Sequence, residues 1–361
     1  MPDITVEKIE SPQNWDEVVD SFQGSLFIKT AWLKTVAGEN RVPVYFRFKE
    51  NGKMAGLLGG LDISLNQGKT RQLFFYSGIV TSVNEPGLIG KCKTGLFEYA
   101  KRNHYMRLSI RSYDYLKTVP GNKTLFKIKE RVEYIVRLDK SKEDVINGIH
   151  KDMRRKVRRA CEMGMTFHKS RSVEMIDELI SVTEQTYRVR QIKGYGPYEH
   201  FYLPFFSGKE MRKLVSNGHG DFFYTMIDNE ILSIGFVFCS NRRAYALFAG
   251  TTIRGYKCYS PSFLFYNTIC KLKDKGFSYF NVGGVQHDER NRGLKQFKDK
   301  LGADVVTSFE ECSNFLTPPY KYLNPLLDFK YFLLMVKVLP WRLKKAVIFV
   351  IDKIIKKRDC Y

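Results

Sequence analysis

At 361 residues and 43% hydrophobic, the chain can bury sizeable cores and is long enough for two domains, which excludes a disordered or single small-core protein. Lys plus Arg number 59 against 38 Asp plus Glu, a formal charge of +21 that favours an anionic partner: nucleic acid, a phosphorylated substrate or an anionic membrane face. Seven scattered cysteines without Cys-x-x-Cys, and six histidines without His-x-x-x-His, match neither a disulfide framework nor a zinc site, so no metal is expected.

The start, Met1-Pro2-Asp3-Ile4, shows no basic stretch followed by an apolar one, so no signal peptide is expected and a reducing, cytoplasmic setting follows. Tyr45 to Phe48, a turn at Glu50-Asn51-Gly52-Lys53, and Met54 to Leu61 read as a β-hairpin. Leu96 to Ala100 reads as helix and Met106 to Ile110 as strand. The same order returns later: Phe222 to Ile227, a turn at Asp228-Asn229-Glu230, Ile231 to Phe238, then a helix around Phe263 to Asn267 and a strand at Tyr279 to Val282. Hairpin, strand, helix, strand therefore occurs twice, about half the chain apart.

Between the two copies, Ser141 to Gly164 reads as one helix, with Ser141 as N-cap, Asp144 three residues on and Gly164 as the stop. Ile146, Ile149, Met153, Val157 and Ala160 share its apolar face. Lys151, Arg154, Arg155, Arg158 and Arg159 share the other. Five like charges at this spacing repel one another, so the face is either solvated or meets a polyanion. A second marked helix, Pro261 to Lys275, has Ser260 as its expected cap, Pro261 in the first turn and Gly276 as its end. Arg254 and Lys257 just before it suit a phosphate seat at a helix N-terminus; an ordinary strand-to-helix connection is the plainer reading.

The extended run from Phe277 ends in Asn281-Val282-Gly283-Gly284. A short loop leads to a small helix, Gly293-Leu294-Lys295-Gln296-Phe297-Lys298, and to Leu301-Gly302. Paired glycines at a strand end let a substrate approach the backbone, and a lysine just beyond can set a positive charge where an oxyanion develops. From Pro319 the character changes. Tyr331 to Ile355 is apolar, but Lys337, Pro340, Arg342, Lys344 and Lys345 interrupt it, so it is not expected to span a bilayer. Leu343, Val347, Val350, Ile351 and Ile354 form a stripe opposite Arg342, Lys345, Asp352, Lys353 and Lys356, with Lys357 and Arg358 following. That pattern reads as a basic amphipathic helix lying on a membrane surface, or packed on the domain or on a second subunit.

Taken together, these pieces resemble the FemABX group of the GNAT superfamily and its acetyltransferase relatives. The resemblance runs to about Glu311 and rests on the basic helix around Lys151 to Ala160, on Thr183 to Arg190, on Ala249-Gly250 through Ser260-Pro261, and above all on Gly283-Gly284…Gly293-Leu294-x-x-Phe297-Lys298. It implies a mixed α/β (α+β) fold of two tandem GNAT-like domains with a central cleft: residues 1–139, 140–312, and a C-terminal basic amphipathic tail over 313–361. It implies an acyltransferase that forms an amide on an amine, without a covalent enzyme intermediate or a permanently bound cofactor. The co-substrate would be aminoacyl-tRNA, with transfer to a peptidoglycan precursor, lipid- or nucleotide-linked, at the cytoplasmic membrane face. The alternative is acyl-CoA or an acyl carrier protein, with an amino sugar of a surface polysaccharide or a lipid as acceptor.

By the same resemblance, Lys298, with Phe297 beside it, would stabilise the oxyanion or leaving group. Arg188 or Arg190 would meet acceptor phosphates, and Lys34 would make a phosphate contact in the first domain. Asp114, Asp288 or the substrate itself would take the amine's proton. The chain departs from the pattern in two ways. It shows no long coiled-coil arm, and Arg254-Gly255-Tyr256-Lys257-Cys258 has one glycine where the GNAT pyrophosphate loop, Arg/Gln-x-x-Gly-x-Gly/Ala, has two small positions. A third reading, a non-catalytic RNA- or membrane-binding protein on a decayed fold, is opposed by the intact Phe297-Lys298 after Gly283-Gly284.

Overall fold

The computed structural model describes residues 4–10, 12–65, 67–82, 85–117, 119–192, 201–285, 292–326 and 349. The chain divides into two compact units, Met1–Glu130 with Ser308–Tyr361, and Arg131–Thr307. In chain order the elements begin with β1 (Ile4–Ile9), α1 (Trp15–Ser21), α2 (Thr30–Val36), β2 (Arg41–Glu50), β3 (Lys53–Leu65), β4 (Thr70–Phe75), β5 (Val80–Thr81), α3 (Pro86–Arg102) and β6 (Arg107–Ile110). They continue with β7 (Phe126–Arg137), α4 (Lys142–Gly148), α5 (Lys151–Glu162), β8 (Thr166–Ser170), α6 (Met175–Ile192), α7 (Gly208–Ser216), β9 (Asp221–Ile227), β10 (Glu230–Ser240) and β11 (Arg243–Thr251). Last come α8 (Ile253–Lys257), α9 (Ser260–Asp274), β12 (Tyr279–Val285), α10 (Arg292–Asp299) and β13 (Asp304–Ser313).

The twofold order expected from the sequence is present. In the first unit the strands run β1-β2-β3-β4-β6-β13, and in the second β8-β9-β10-β11-β12-β7. Each contains a hairpin closed by two residues at positive φ, Asn51 (52°) with Gly52 (78°), and Asp228 (50°) with Asn229 (62°). Left-handed pairs of this kind match the twist of the flanking strands. Each then has one parallel pair bridged by a helix: β4 with β6 across α3, and β11 with β12 across α8 and α9. The β11–β12 pairing is brief, from Arg243↔Tyr279 to Tyr245↔Asn281, although both strands continue beyond it.

The closing strand of each unit comes from a distant part of the sequence. β13 lies antiparallel on β6 (Glu311↔Ile110), and β7 lies antiparallel on β12 (Phe280↔Val136). The boundaries therefore fall within β7 and β13, at 130/131 and 307/308, where the sequence suggested 139/140 and 312/313. Residues just beyond 313 also belong to the first unit, because Phe315, Tyr320 and Leu323 bury their side chains with Met106. The amphipathic stretch Trp341 to Arg358 lies outside the described residues, apart from Phe349. No helix among the described residues is long and apolar enough to cross a membrane.

Two helix assignments are corrected. Ser141 to Gly164 forms two helices, α4 and α5, with Ile149 fully buried at the break. There the His150 N–H donates to the Lys300 carbonyl (3.0 Å), and the His150 ring accepts from the Asp152 N–H (3.2 Å), starting α5 afresh. Ser141 does cap, accepting from the Asp144 N–H at 3.0 Å. Ser260 does not. It is the first residue of α9, fully buried, and its hydroxyl is tied to Thr225 (2.6 Å) and Ser233 (2.8 Å) on β9 and β10. The position before α9 is Tyr259, in left-handed conformation.

The second unit's core joins one face of β7, β12 and β11 to α9 through Val136, Phe280, Val282, Leu264, Ile269 and Leu272. Each such side chain contributes about 1.5–3 kcal/mol by leaving water.

Candidate functional site

The Gly-Gly pair lies in a β-bulge. Asn281 pairs with Ile135 and Gly284 with Glu133, so β12 spends three steps where β7 spends two. The two glycines are required for different reasons. Gly283 takes φ +79°, which a side chain resists. Gly284 has no room: a Cβ there would stand 2.8 Å from the Val132 carbonyl oxygen. A bulge re-aims the backbone locally and frees groups from the ladder.

Helix α10 delivers Lys298 to this bulge. The side chain is 7% exposed, and its amine donates to the Gly284 carbonyl at 3.1 Å. The amine also lies 5.7 Å from the centre of the Tyr134 ring. A Cβ at Gly283 would lie 3.6 Å from the amine nitrogen, so the glycine leaves the space beside the amine clear of a side chain of its own. Burial lowers the Lys298 pKa to about 7, the Glu133 charge opposes that fall, and Arg131 adds to it. The amine is thus poised between ammonium and free base near neutrality. Phe297, half-buried, packs edge-on against Phe265 at 5.4 Å and so orients α10.

Beneath the bulge lies a polar network that the sequence reading missed. Glu133, 2% exposed, accepts from Tyr245 Oη (2.7 Å) and Arg131 Nη2 (3.0 Å) at one carboxylate oxygen, and from Asn281 Nδ2 (2.9 Å) at the other. Asn281 in turn accepts from the Gly283 N–H at 2.9 Å. The only sequence cue was the charged residue Glu133 set between Val132 and the apolar run Tyr134 to Val136.

The basic residues of α5 are on the same unit. Lys151, Arg155, Arg158 and Arg159 are exposed and Arg154 half-buried. Arg154 donates to Asn147 (3.2 Å) and Arg159 to the Tyr259 hydroxyl (3.4 Å), while Arg155 lies 3.5 Å from Asp152. Between α5, the start of α9 and α10 is an open pocket of about 210 Å³, with Met153, Lys156, Ser262, Gln296, Phe297 and Lys300 among its lining residues. Phe297 thus connects the lysine-bearing helix to the basic helix.

Other expected residues take different places. Arg254 is exposed and closes the β9–β10 turn, paired with Glu230 (2.5 Å) and Asp228 (2.9 Å). Lys257 is exposed at the end of α8. That segment is a short helix rather than an open phosphate loop, and its single glycine, Gly255, is pressed against the Leu232 carbonyl. Arg188 is exposed on α6, and Arg190 is half-buried near its end. Lys34 is exposed on α2 of the first unit. Asp114, also in the first unit, is 1% exposed, and its carboxylate accepts from the Leu26 N–H at 3.1 Å, a structural role. Asp288 lies outside the described residues. No cluster of metal ligands occurs among the described residues.

Residues 148–299, which include the bulge and α10, match the acetyltransferase (GNAT) domain family. No curated protein matches the chain. Among solved structures it is similar to FemX, with 14% identity over 84% of this chain and 96% of that one, at a TM-score of 0.64. It is also similar to L-PGS from Bacillus licheniformis, with 16% identity over 88% of this chain and 96% of that one, at a TM-score of 0.51. At these identities the likeness is one of fold.

Proposed function

We propose that this GNAT-type acyltransferase carries an aminoacyl group from aminoacyl-tRNA to an amine of a peptidoglycan precursor, with Lys298 as the catalytic cation. The observation that carries the reading is the Lys298 amine, 7% exposed and set against a bulge stripped of side chains. In the reaction the acceptor amine attacks the ester carbonyl, a C–N bond forms and the carbonyl oxygen becomes an oxyanion. The C–O bond to the ribose then breaks, and the amine's proton balances the one taken by the ribose oxygen. Ammonium at Lys298 stabilises the oxyanion and can donate to the departing oxygen. A pKa of about 7 lets it recover that proton from the attacking amine.

The donor reading is supported by the basic face of α5 and by the pocket beside Phe297, which suit phosphates flanking a nucleoside. The compact α8, where an open loop would hold a pyrophosphate, weighs against acyl-CoA. On the acceptor side, Lys34 and Arg188 or Arg190 are the proposed phosphate contacts. The tail over Trp341 to Arg358 is proposed to hold the enzyme on the anionic inner face of the membrane.

The test presents purified protein with labelled aminoacyl-tRNA, acyl-CoA or acyl carrier protein, each with total cell-envelope precursors. Label moving from aminoacyl-tRNA to a precursor supports the reading. Label moving only from acyl-CoA or the acyl carrier protein replaces it with the N-acyltransferase alternative.

A further inference from the structure

We infer that Glu133 is a positioning residue for Lys298: it clamps the β12 bulge on which the lysine amine rests and supplies a negative charge that favours the amine's ammonium form. The inference builds on the catalytic reading of Lys298.

Glu133, Tyr245 and Asn281 are each at most 2% exposed. Burying such groups is costly unless each is bonded, and apolar residues would pack the same space at less expense. Here the bonds form a directed chain. Arg131 and Tyr245 hold one oxygen of Glu133, and the other oxygen holds the Asn281 amide. The far end of that amide holds the Gly283 N–H, and the next residue, Gly284, offers its carbonyl to Lys298. Moving Glu133 therefore moves the seat of the amine.

The charges act in the same direction. Among the described residues, the charges that act on Lys298 are those of Glu133 and Arg131 on β7; Tyr134 on β7 and Tyr245 on β11 also lie close, and Asp299 on α10 acts on Tyr134. Burial pushes both tyrosines up, so both stay neutral around pH 7. Among the described residues, Glu133 favours ammonium at Lys298 and Arg131 opposes it. Arg131 is paired with Glu133, so Lys298 meets the difference of the two charges, and removing either partner leaves the other unopposed.

The experiment follows the Lys298 side chain by NMR of full-length protein labelled at lysine Cε and Nζ, with its signal assigned by loss in Lys298→Arg. Glu133→Gln should move the titration midpoint down by about one pH unit or more, and Arg131→Gln should move it up. Arg131→Lys, which keeps the charge, should leave it near wild type. A purely structural role predicts something else: loosening exposes the lysine and raises the midpoint in every variant. Unmoved midpoints, or the same upward movement in all, overturn the inference. If Glu133→Gln does not fold, the contrast between Arg131→Gln and Arg131→Lys decides, and equal movement in both rejects it. Transfer rates are read in parallel. Midpoints that move in opposite directions while rates do not follow would support the network and remove Lys298 from the chemistry.

Discussion

Lys298 should lower the stability of the protein that depends on it. The folded state carries an amine with a pKa of about 7, where an unfolded lysine has 10.5. Below pH 7 the amine is charged in both states, so the folded state bears the full penalty of its burial, about 5 kcal/mol at 1.36 kcal/mol per pKa unit. As pH rises from about 7 towards 10.5, the folded amine sheds its proton while the unfolded one keeps it, and the penalty disappears across that window. Lys298→Met keeps most of the buried hydrocarbon and removes the charge. It also loses the bond to the Gly284 carbonyl, worth about 1 kcal/mol. The variant should therefore be more stable than wild type by about 2–4 kcal/mol at pH 6, and by about zero at pH 10. Urea unfolding at the two pH values, followed by far-UV circular dichroism, measures this. Circular dichroism is the suitable probe because Trp15, Trp32 and Trp341 all lie outside Arg131–Thr307. A variant less stable than wild type at pH 6, or a difference that ignores pH, would refute the burial of a charged amine at this position.

Three further outcomes are expected. Gly284→Ala puts a methyl group 2.8 Å from the Val132 carbonyl and should destabilise by about 1–3 kcal/mol, with loss of transfer, as read by thermal melts and turnover. Reversing Arg155 and Arg158 to Glu should raise the donor KM at low salt, an effect that shrinks as salt is added; an unchanged KM at low salt returns the face to plain solvation. Full-length protein should sediment with anionic liposomes at low salt, and protein ending after Leu339 should not, since each Lys or Arg at such a surface contributes about 1 kcal/mol. Failure of the full-length protein to sediment makes the tail a packing or dimerisation element.

Local signals were legible in the sequence, and long-range ones were not. Asn51-Gly52 and Asp228-Asn229 announced their hairpins because a two-residue turn at positive φ admits few residue types. Gly283-Gly284 and Phe297-Lys298 marked the candidate site, which the fold brings together, because backbone approach and a nearby cation leave a residue-level trace. The break at Ile149 was hidden, because apolar periodicity continues across it and its cause, the Lys300 carbonyl, is 150 residues away. Ser260 looked like a cap because its buried partners, Thr225 and Ser233, come from another hairpin. The Glu133 network was out of reach for the same reason: Tyr245 and Asn281 are 112 and 148 residues from it. The exchange of closing strands between β7 and β13 moved the domain boundaries for a reason that belongs to topology, not to composition.

The central claim is that a buried cation at the β12 bulge drives acyl transfer, and the most direct measurement is the single-turnover transfer rate of Lys298→Ala beside wild type, with both shown to be folded. The account predicts a fall of about 10²–10³, the usual loss when one such electrostatic contact is removed. A rate within a few fold of wild type would contradict it.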